Sequence, residues 1–337
     1  MAVITIIGAG QMGSAMSVPA RENGHEVRLV GTMLDRDIIE HAEKTGAHPT
    51  LDRMLPEGVN FFQLEALDEA LEGAELVISG VSSFGVEWFR DEIIPRLPPG
   101  LPVLSVTKGM IDMPGGSMKT FPEMYEEAAP GGDFCAIGGP CTSYELADRD
   151  QTAVCCCGKD EKLLLWIKGL LETPFYHIGV TPDVRGLECA AAMKNAYALG
   201  VCLAMGLAEK RDGRPHYNSQ AALFGQSVKE MRALLTLCGG NDDNIVFGAG
   251  DLYVTIFGGR TRKLGTLLGT GLRFDEALER LQGVTLESYV IAARTGRAVH
   301  KLIELGKARA EDFPLLLHID DIISRGAVVD VPWEKFV

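Results

Sequence analysis

An apolar, β-branched run at residues 2–7 leads directly into Gly8-Ala9-Gly10-Gln11-Met12-Gly13, and residues 14–23 then read as a helix closed by Gly24. The run is continuous rather than alternating, as a parallel strand buried on both faces requires. Gly8 permits a tight turn, Gly10 lets the backbone approach a pyrophosphate, and Gly13 lets helix and strand pack closely. The helix start offers free N–H groups and the positive end of its dipole to negative charge. This strand–turn–helix context predicts a dinucleotide site at Gly8, Gly10, Gln11, Met12 and Gly13, within an open α/β sheet.

A second strand, 26–30, should end beside the ribose of such a ligand. An acid at that point binds the 2′-hydroxyl in NAD-preferring folds. Here the strand runs into Gly31-Thr32, the first acid beyond is Asp35, and Arg36 follows it as a candidate for a 2′-phosphate. Both NAD and NADP therefore stand as cofactors. Further strands are expected over 75–80, 103–107, 134–137, 152–157 and 176–179, with a helix near 86–95. Lys108 follows the 103–107 strand, and the carboxyl end of a strand in an open sheet faces the ligand crevice. Pro182-Asp183 marks a junction, beyond which the pattern turns helical at 186–210, 218–238, 261–269, 274–282, 286–295 and 298–305. The expected fold is a doubly wound, mainly parallel α/β domain at 1–182, for the cofactor, followed by an all-α domain at 183–337, for the substrate.

The bulk numbers narrow the partners. With 337 residues there is material for two cores, and a formal net charge of −14 argues against nucleic acid and anionic membrane. An anionic substrate needs a local basic pocket working against that field. No apolar run approaches the ~18 residues of a membrane span, and the N-terminus carries no export pattern, so a cytoplasmic protein is expected. Eight cysteines include Cys155-Cys156-Cys157, but no CxxC. Neighbouring cysteines on a strand point to opposite faces, so buried thiols are expected rather than a metal cage. The seven histidines are scattered without metal-ligand spacing, and no metal is assigned.

Lys194 stands out in the second half. Its helical neighbours Ala190, Ala191, Tyr197 and Ala198 are apolar or aromatic, which places an ammonium in a core-facing stripe. Desolvation lowers a lysine pKa toward the range where it exchanges a proton near neutrality. The segment 248–255 reads as a tight glycine turn that delivers Asp251, a carboxylate able to hold the Lys194 ammonium, with Thr255 four residues on. The run from Gly258 to Lys263 concentrates Arg260, Arg262 and Lys263 at a helix start, where guanidinium groups grip a phosphate.

The order of these pieces resembles the NAD(P)-dependent glycerol-3-phosphate dehydrogenases over nearly the whole chain. The matching elements are Gly8-x-Gly10-x-Met12-Gly13, Ser105-Val-Thr-Lys108-Gly109, Gly139-Pro140-x-x-x-x-Glu145, Lys194-Asn195, Asn218 before a helix containing Glu230, Gly250-Asp251-Leu252 and Gly259-Arg260. The resemblance implies a Rossmann domain followed by a helical domain, a homodimer, and reversible hydride transfer between dihydroxyacetone phosphate and sn-glycerol 3-phosphate. It implies Lys194 as proton donor, with Asp251 and Lys108 polarising and positioning, and Asn195, Thr255, Arg260 and Thr261 on the substrate. Glu287, in the segment 285–287, is the counterpart of a late cofactor-contacting acid.

The chain departs from that pattern at several positions. Thr261 replaces the family's usual asparagine, Gln226 its usual arginine, and Gly138-Gly139-Pro140-Cys141 its Ser-Gly-Pro-Ser, while Ser288 follows Glu287 in place of glycine. A hydrogen bond to a charged group is worth about 1.5–3 kcal/mol, enough to change which phosphate ester is preferred. The same chemistry on another phosphorylated ketose or polyol is therefore the first alternative. A β-hydroxyacid dehydrogenase and a non-catalytic dinucleotide sensor follow. The basic run counts against the former, and the joint presence of Lys194, Asp251 and Lys108 against the latter.

Overall fold

The computed structural model describes residues 1–284 and 286–336. The chain divides into two compact units: Met1–Lys108 with Phe121–Val184, and Gly109–Thr120 with the chain from Arg185 onward.

The first unit is built on an eight-stranded sheet. Its strands are β1 (Val3–Ile7), β2 (Glu26–Val30), β3 (Val59–Phe62), β4 (Leu76–Ser79), β5 (Val103–Ser105), β6 (Phe134–Gly138), β7 (Thr152–Cys157) and β8 (Tyr176–Thr181). The spatial order is β8-β7-β6-β5-β4-β1-β2-β3, and every pair is parallel except β6 with β7. The expected mainly parallel sheet is thus present, with an added strand, β3, in a segment that carried no strong pattern. Ile4, Ile6, Ile7, Leu76, Val77, Ile78, Val103 and Leu104 are all fully buried, which explains runs without alternation. Strand order reverses between β1 and β4, because the chain builds outward through β2 and β3 before crossing back. Ligands bind at such a switch point, outside the carboxyl ends of the strands.

Residues 14–23 do not form one helix. Helix α1 (Gln11–Ala15) begins three residues earlier, and α2 (Ser17–Glu22) follows after Met16. Pro19 has no N–H for the Ala15 carbonyl, so the ladder is interrupted there. Helix α3 (Arg36–Thr45) follows β2. The segment 86–96 forms a short α-turn, a π-turn and a 3-10 turn rather than a regular helix. None of the eight cysteines forms a disulfide; burial pushes the Cys135 thiol up to about 12 and that of Cys155 to about 11, which keeps these two protonated and unreactive.

The second unit is helical: α4 (Val184–Arg211), α5 (Tyr217–Leu237), α6 (Ile245–Ile256), α7 (Gly259–Gly269), α8 (Phe274–Arg280), α9 (Glu287–Glu304) and α10 (Pro314–Arg325). Helix α4 is apolar around most of its circumference because its neighbours surround it. It is long and apolar enough to cross a membrane, but 78% of its most apolar window is buried, so it is a core helix.

Two glycines mislead the sequence reading here. The segment 248–255 is the middle of a twelve-residue helix, α6, not a glycine turn. Gly248 is small because a Cβ there would lie 2.9 Å from the Ala190 Cβ and 2.8 Å from the Met231 side chain. Likewise Glu287–Glu304 is one helix rather than two. Thr295 returns its hydroxyl to the Ile291 carbonyl at 2.7 Å, and Gly296 makes room for Asp320, whose carboxylate would lie 2.6 Å from a Cβ. Both are packing glycines inside helices.

The helical unit also includes a hairpin, Met110–Asp112 with Met118–Thr120, which a single division at 182/183 leaves with the sheet. Asp112 receives both arms of the Arg297 guanidinium at 2.8 and 2.9 Å, and Met110 is wholly buried in the helical core.

Candidate functional site

In the sheet unit the glycine turn is held from several sides. Gly8 has φ +108°, which a residue with a Cβ rarely adopts. A Cβ on Gly13 would lie 2.1 Å from the Gly8 carbonyl oxygen, and one on Gly80 would lie 2.7 Å from the Gly13 Cα. Three backbones thus meet at the switch point, and Gly80, at the end of β4, is a member the sequence reading missed. Gly10 differs. A Cβ there meets nothing within 4 Å, so the backbone at the start of α1 faces open space, a cradle of the kind a pyrophosphate fills.

The peptide of Ala9 is pinned at both ends. Its N–H donates to Asp35 Oδ2 at 3.1 Å, and its carbonyl accepts from His48 Nε2 at 2.8 Å and Ser14 Oγ at 3.2 Å. His48 Nδ1 accepts the N–H groups of Thr50 and Leu51 at 3.3 and 3.0 Å, which fixes the donor role of Nε2. Gln11 donates its amide to the Thr50 carbonyl at 2.7 Å, and Met12 packs half-buried on the sheet core. Asp35 and His48 are functional in the sense of shaping this turn. Sequence reading placed neither in that role, because they lie 26 and 39 residues from the glycine motif.

Arg36 opens α3, and its guanidinium pairs with Glu65. Lys108 lies in the loop beyond β5, which ends at Ser105, and donates to the Gly139 carbonyl at 2.8 Å. That contact ties it to the Gly138-Gly139-Pro140-Cys141 segment.

In the helical unit the structure brings Lys194, Asp251 and Thr255 together. Lys194 Nζ lies 2.9 Å from Asp251 Oδ1 and 3.0 Å from Thr255 Oγ1. Asp251 and Thr255 are one turn apart on α6, so they share a face, which the correct helical assignment explains and a glycine turn does not. The Thr255 hydroxyl donates to the Asp251 carbonyl at 2.7 Å, which turns its lone pairs toward the ammonium. The Lys194 side chain is 13% exposed and that of Asp251 1%, so the pair is close to dry while keeping a path to solvent.

Asn195 is half-buried beside Lys194 on α4. Arg260 is exposed and Thr261 buried in the first turn of α7, whose N-cap Gly258 is extended and whose Gly259 has φ +77°. Arg262 is turned back onto the Phe257 carbonyl at 2.6 Å. Glu287 is the half-buried first residue of α9, and Thr285 before it lies outside the described residues. Gln226 is buried and donates its amide to Glu230 Oε1 at 2.7 Å, so this departure from the family pattern acts within the helical core rather than on an open pocket surface. Among the described residues no group of three or more His, Cys, Asp or Glu is placed to hold a metal.

The N-terminal model of NAD-dependent glycerol-3-phosphate dehydrogenase matches residues 3–164 and the C-terminal one residues 183–333. The chain is 36% identical over 313 residues to the NADP(+)-dependent glycerol-3-phosphate dehydrogenase of Archaeoglobus fulgidus, covering 89% of this chain and 90% of that protein. It is 28% identical over 339 residues to a glycerol-3-phosphate dehydrogenase [NAD(P)+] of Koribacter versatilis, covering 97% and 94%. The crystal structure of glycerol-3-phosphate dehydrogenase from Coxiella burnetii shares the fold, with a TM-score of 0.80, 22% identity and coverage of 99% and 97%. The chain belongs to the NAD-dependent glycerol-3-phosphate dehydrogenase family.

Proposed function

We propose that this chain interconverts dihydroxyacetone phosphate and sn-glycerol 3-phosphate, with Lys194 as the group that gives and takes the proton on the C2 oxygen. The observation that carries the reading is the ammonium held at 2.9 Å by Asp251 and at 3.0 Å by Thr255, on a helix buried over most of its length. A bound nicotinamide supplies or accepts the hydride at C2. As negative charge builds on the carbonyl oxygen, Lys194 stabilises it and passes one N–H proton to it. In the reverse direction the neutral amine takes the hydroxyl proton. Asp251 favours the ammonium form by a charge-assisted hydrogen bond, and Thr255 restricts where its protons point. A general acid in such a position contributes typically ~10²–10⁴-fold.

The remaining roles are those the family resemblance implies. Arg260, at the exposed start of α7, grips the substrate phosphate, helped by N–H groups of that first turn. Asn195 and Thr261 supply neutral hydrogen bonds to the substrate, and Lys108 adds positive charge for the carbonyl. The sheet unit holds the cofactor at Gly8, Gly10, Gln11, Met12 and Gly13, with Arg36 at the ribose end; Glu287, at the start of α9 in the helical unit, is the counterpart of the family's late cofactor-contacting acid. We read the protein as a cytoplasmic homodimer, and eight cysteines without a disulfide among them support a reducing compartment.

The test is a substrate panel with NADH and NADPH, followed at the reduced-nicotinamide absorbance band. Rapid oxidation with dihydroxyacetone phosphate and much slower oxidation with longer phosphorylated ketoses is the expected result. Preference for a longer ketose phosphate would move the substrate assignment to the alternative raised by Thr261. Turnover of unphosphorylated hydroxy acids would contradict the role of Arg260.

A further inference from the structure

We infer that the hairpin at 110–120 is a strap by which α9 fixes Lys108, and that Arg297 and Asp112, which fasten it, are positioning residues for that lysine. The inference rests on the role proposed above for Lys108 at the substrate carbonyl.

The hairpin has little to hold it together by itself. Three residue pairs join its strands, Met110 with Thr120, Ile111 with Lys119 and Asp112 with Met118. An isolated two-stranded ribbon is marginal at best in water. Its order comes from α9. The Met110 carbonyl accepts from Arg294 Nη1 at 3.4 Å, and Asp112 receives both arms of Arg297 at 2.8 and 2.9 Å. Gly116, in the turn at φ +80°, lies so close that a Cβ on it would be 3.1 Å from the Ala298 carbonyl oxygen. Positions 294, 297 and 298 share one helical face. The ribbon is therefore gripped at its base, its middle and its tip, and the buried Met110 side chain seals the base into the helical core.

Lys108 stands two residues before that base, and the chain passes from the sheet unit to the helical unit at the bond between Lys108 and Gly109. Two residues span at most about 7 Å, so the Lys108 backbone does not move independently of Met110. At its other end the ammonium is held by the Gly139 carbonyl at 2.8 Å. A charge that polarises a carbonyl acts only where it is placed, and about 1 Å of misplacement costs on the order of 10²-fold in rate.

The fastening pair contributes little to stability, since the Arg297 side chain is 58% exposed and that of Asp112 21%. What two parallel bonds add is register, because they fix one point of the ribbon against one turn of α9. Breaking them loosens the strap and leaves the core intact.

The test is steady-state kinetics with dihydroxyacetone phosphate, beside fluorescence titration of the reduced dinucleotide alone. The proteins are the wild type, Arg297→Gln, Arg297→Lys, Lys108→Met, the double variant Lys108→Met with Arg297→Gln, and the exchanged pair Asp112→Arg with Arg297→Asp. Arg297→Gln should lower kcat about tenfold and leave the dinucleotide Kd and the melting temperature close to wild type. Arg297→Lys, which keeps one bond, should fall between, and the exchanged pair should recover most of the loss. Lys108→Met should lower kcat on the order of 10²-fold, and adding Arg297→Gln to it should change kcat less than twofold, because the group it positions is gone. Asp112→Asn breaks the pair from the other side and gives the same readings if Arg297→Gln does not fold. Wild-type kcat in Arg297→Gln, or an equal loss in both backgrounds, would overturn the inference while leaving the role of Lys108 intact. Wild-type kcat in Lys108→Met would overturn that role and the inference with it.

Discussion

Replacing Glu230 by glutamine probes how the helical core holds the helix that carries Lys194. Glu230 accepts hydrogen bonds from Tyr197 Oη at 3.1 Å, Gln226 Nε2 at 2.7 Å, and the N–H groups of Leu315 and Leu316 at 2.8 and 2.9 Å, where it caps the start of α10. Tyr197 lies one turn from Lys194 on α4. Burial pushes the Glu230 carboxyl from 4.5 up to about 7, outweighing the four donors that favour its charged form. Because the folded-state value exceeds the unfolded one, the folded chain retains a proton that the unfolded chain has released. Stability is therefore greatest below about pH 4.5 as far as this group is concerned, falls as pH rises to about 7, and is level beyond. At ~1.4 kcal/mol per pH unit, the whole change amounts to about 3 kcal/mol. Urea unfolding of the wild type and Glu230→Gln, followed by circular dichroism between about pH 5 and pH 8, isolates it, since other titrating groups cancel in the difference. The wild type should lose most of those ~3 kcal/mol relative to the variant across that range. A difference that stays constant, or widens in favour of the wild type as pH rises, would mean that the four donors keep Glu230 ionised throughout.

Other outcomes follow from the same geometry. Gly13→Ala puts a Cβ 2.1 Å from a backbone oxygen, so it should destabilise the sheet unit by about 3 kcal/mol or prevent its folding, read by thermal unfolding. Gly10→Ala meets nothing within 4 Å, so its melting temperature should hold while its Kd for reduced nicotinamide dinucleotide rises tenfold or more. Asp251→Asn removes the carboxylate from a nearly dry ammonium and should cost about 3 kcal/mol in denaturant stability, with kcat falling further than KM rises. An Asp251→Asn enzyme with wild-type kcat would show that the carboxylate does not orient the proton donor.

The parts of the fold legible in the sequence were those set by local chemistry. The glycine turn declared itself because Gly8, Gly10 and Gly13 sit between a buried strand and a helix start, all within thirteen residues. Its third backbone partner, Gly80, was not legible, since its need for glycine arises from a strand brought alongside by the crossover. Asp35 and His48 escaped for the same reason. Where glycine serves packing rather than a turn, a single sequence gives the opposite impression. Gly248 made a helix look like a turn, and Gly296 made one helix look like two, because the neighbours that demand their small size, Ala190 and Asp320, are distant in sequence. The hairpin at 109–120 is short, and its attachment to Arg297 depends on a residue 185 positions away. Lys194 and Asp251 are 57 residues apart, yet their pairing is legible from charge complementarity alone. The burial of Gln226 was not, since a polar residue on a long helix reads as exposed until the whole bundle is assembled.

Whether Lys194 carries the proton is read from steady-state kinetics of Lys194→Ala with dihydroxyacetone phosphate and reduced dinucleotide, beside fluorescence binding of the dinucleotide alone. The variant should fold, bind the dinucleotide within about threefold of the wild type, and lose ~10²–10⁴-fold in kcat, with partial recovery when a small primary amine is added. A Lys194→Ala protein that binds the dinucleotide normally and turns over within a few-fold of the wild type would contradict that role.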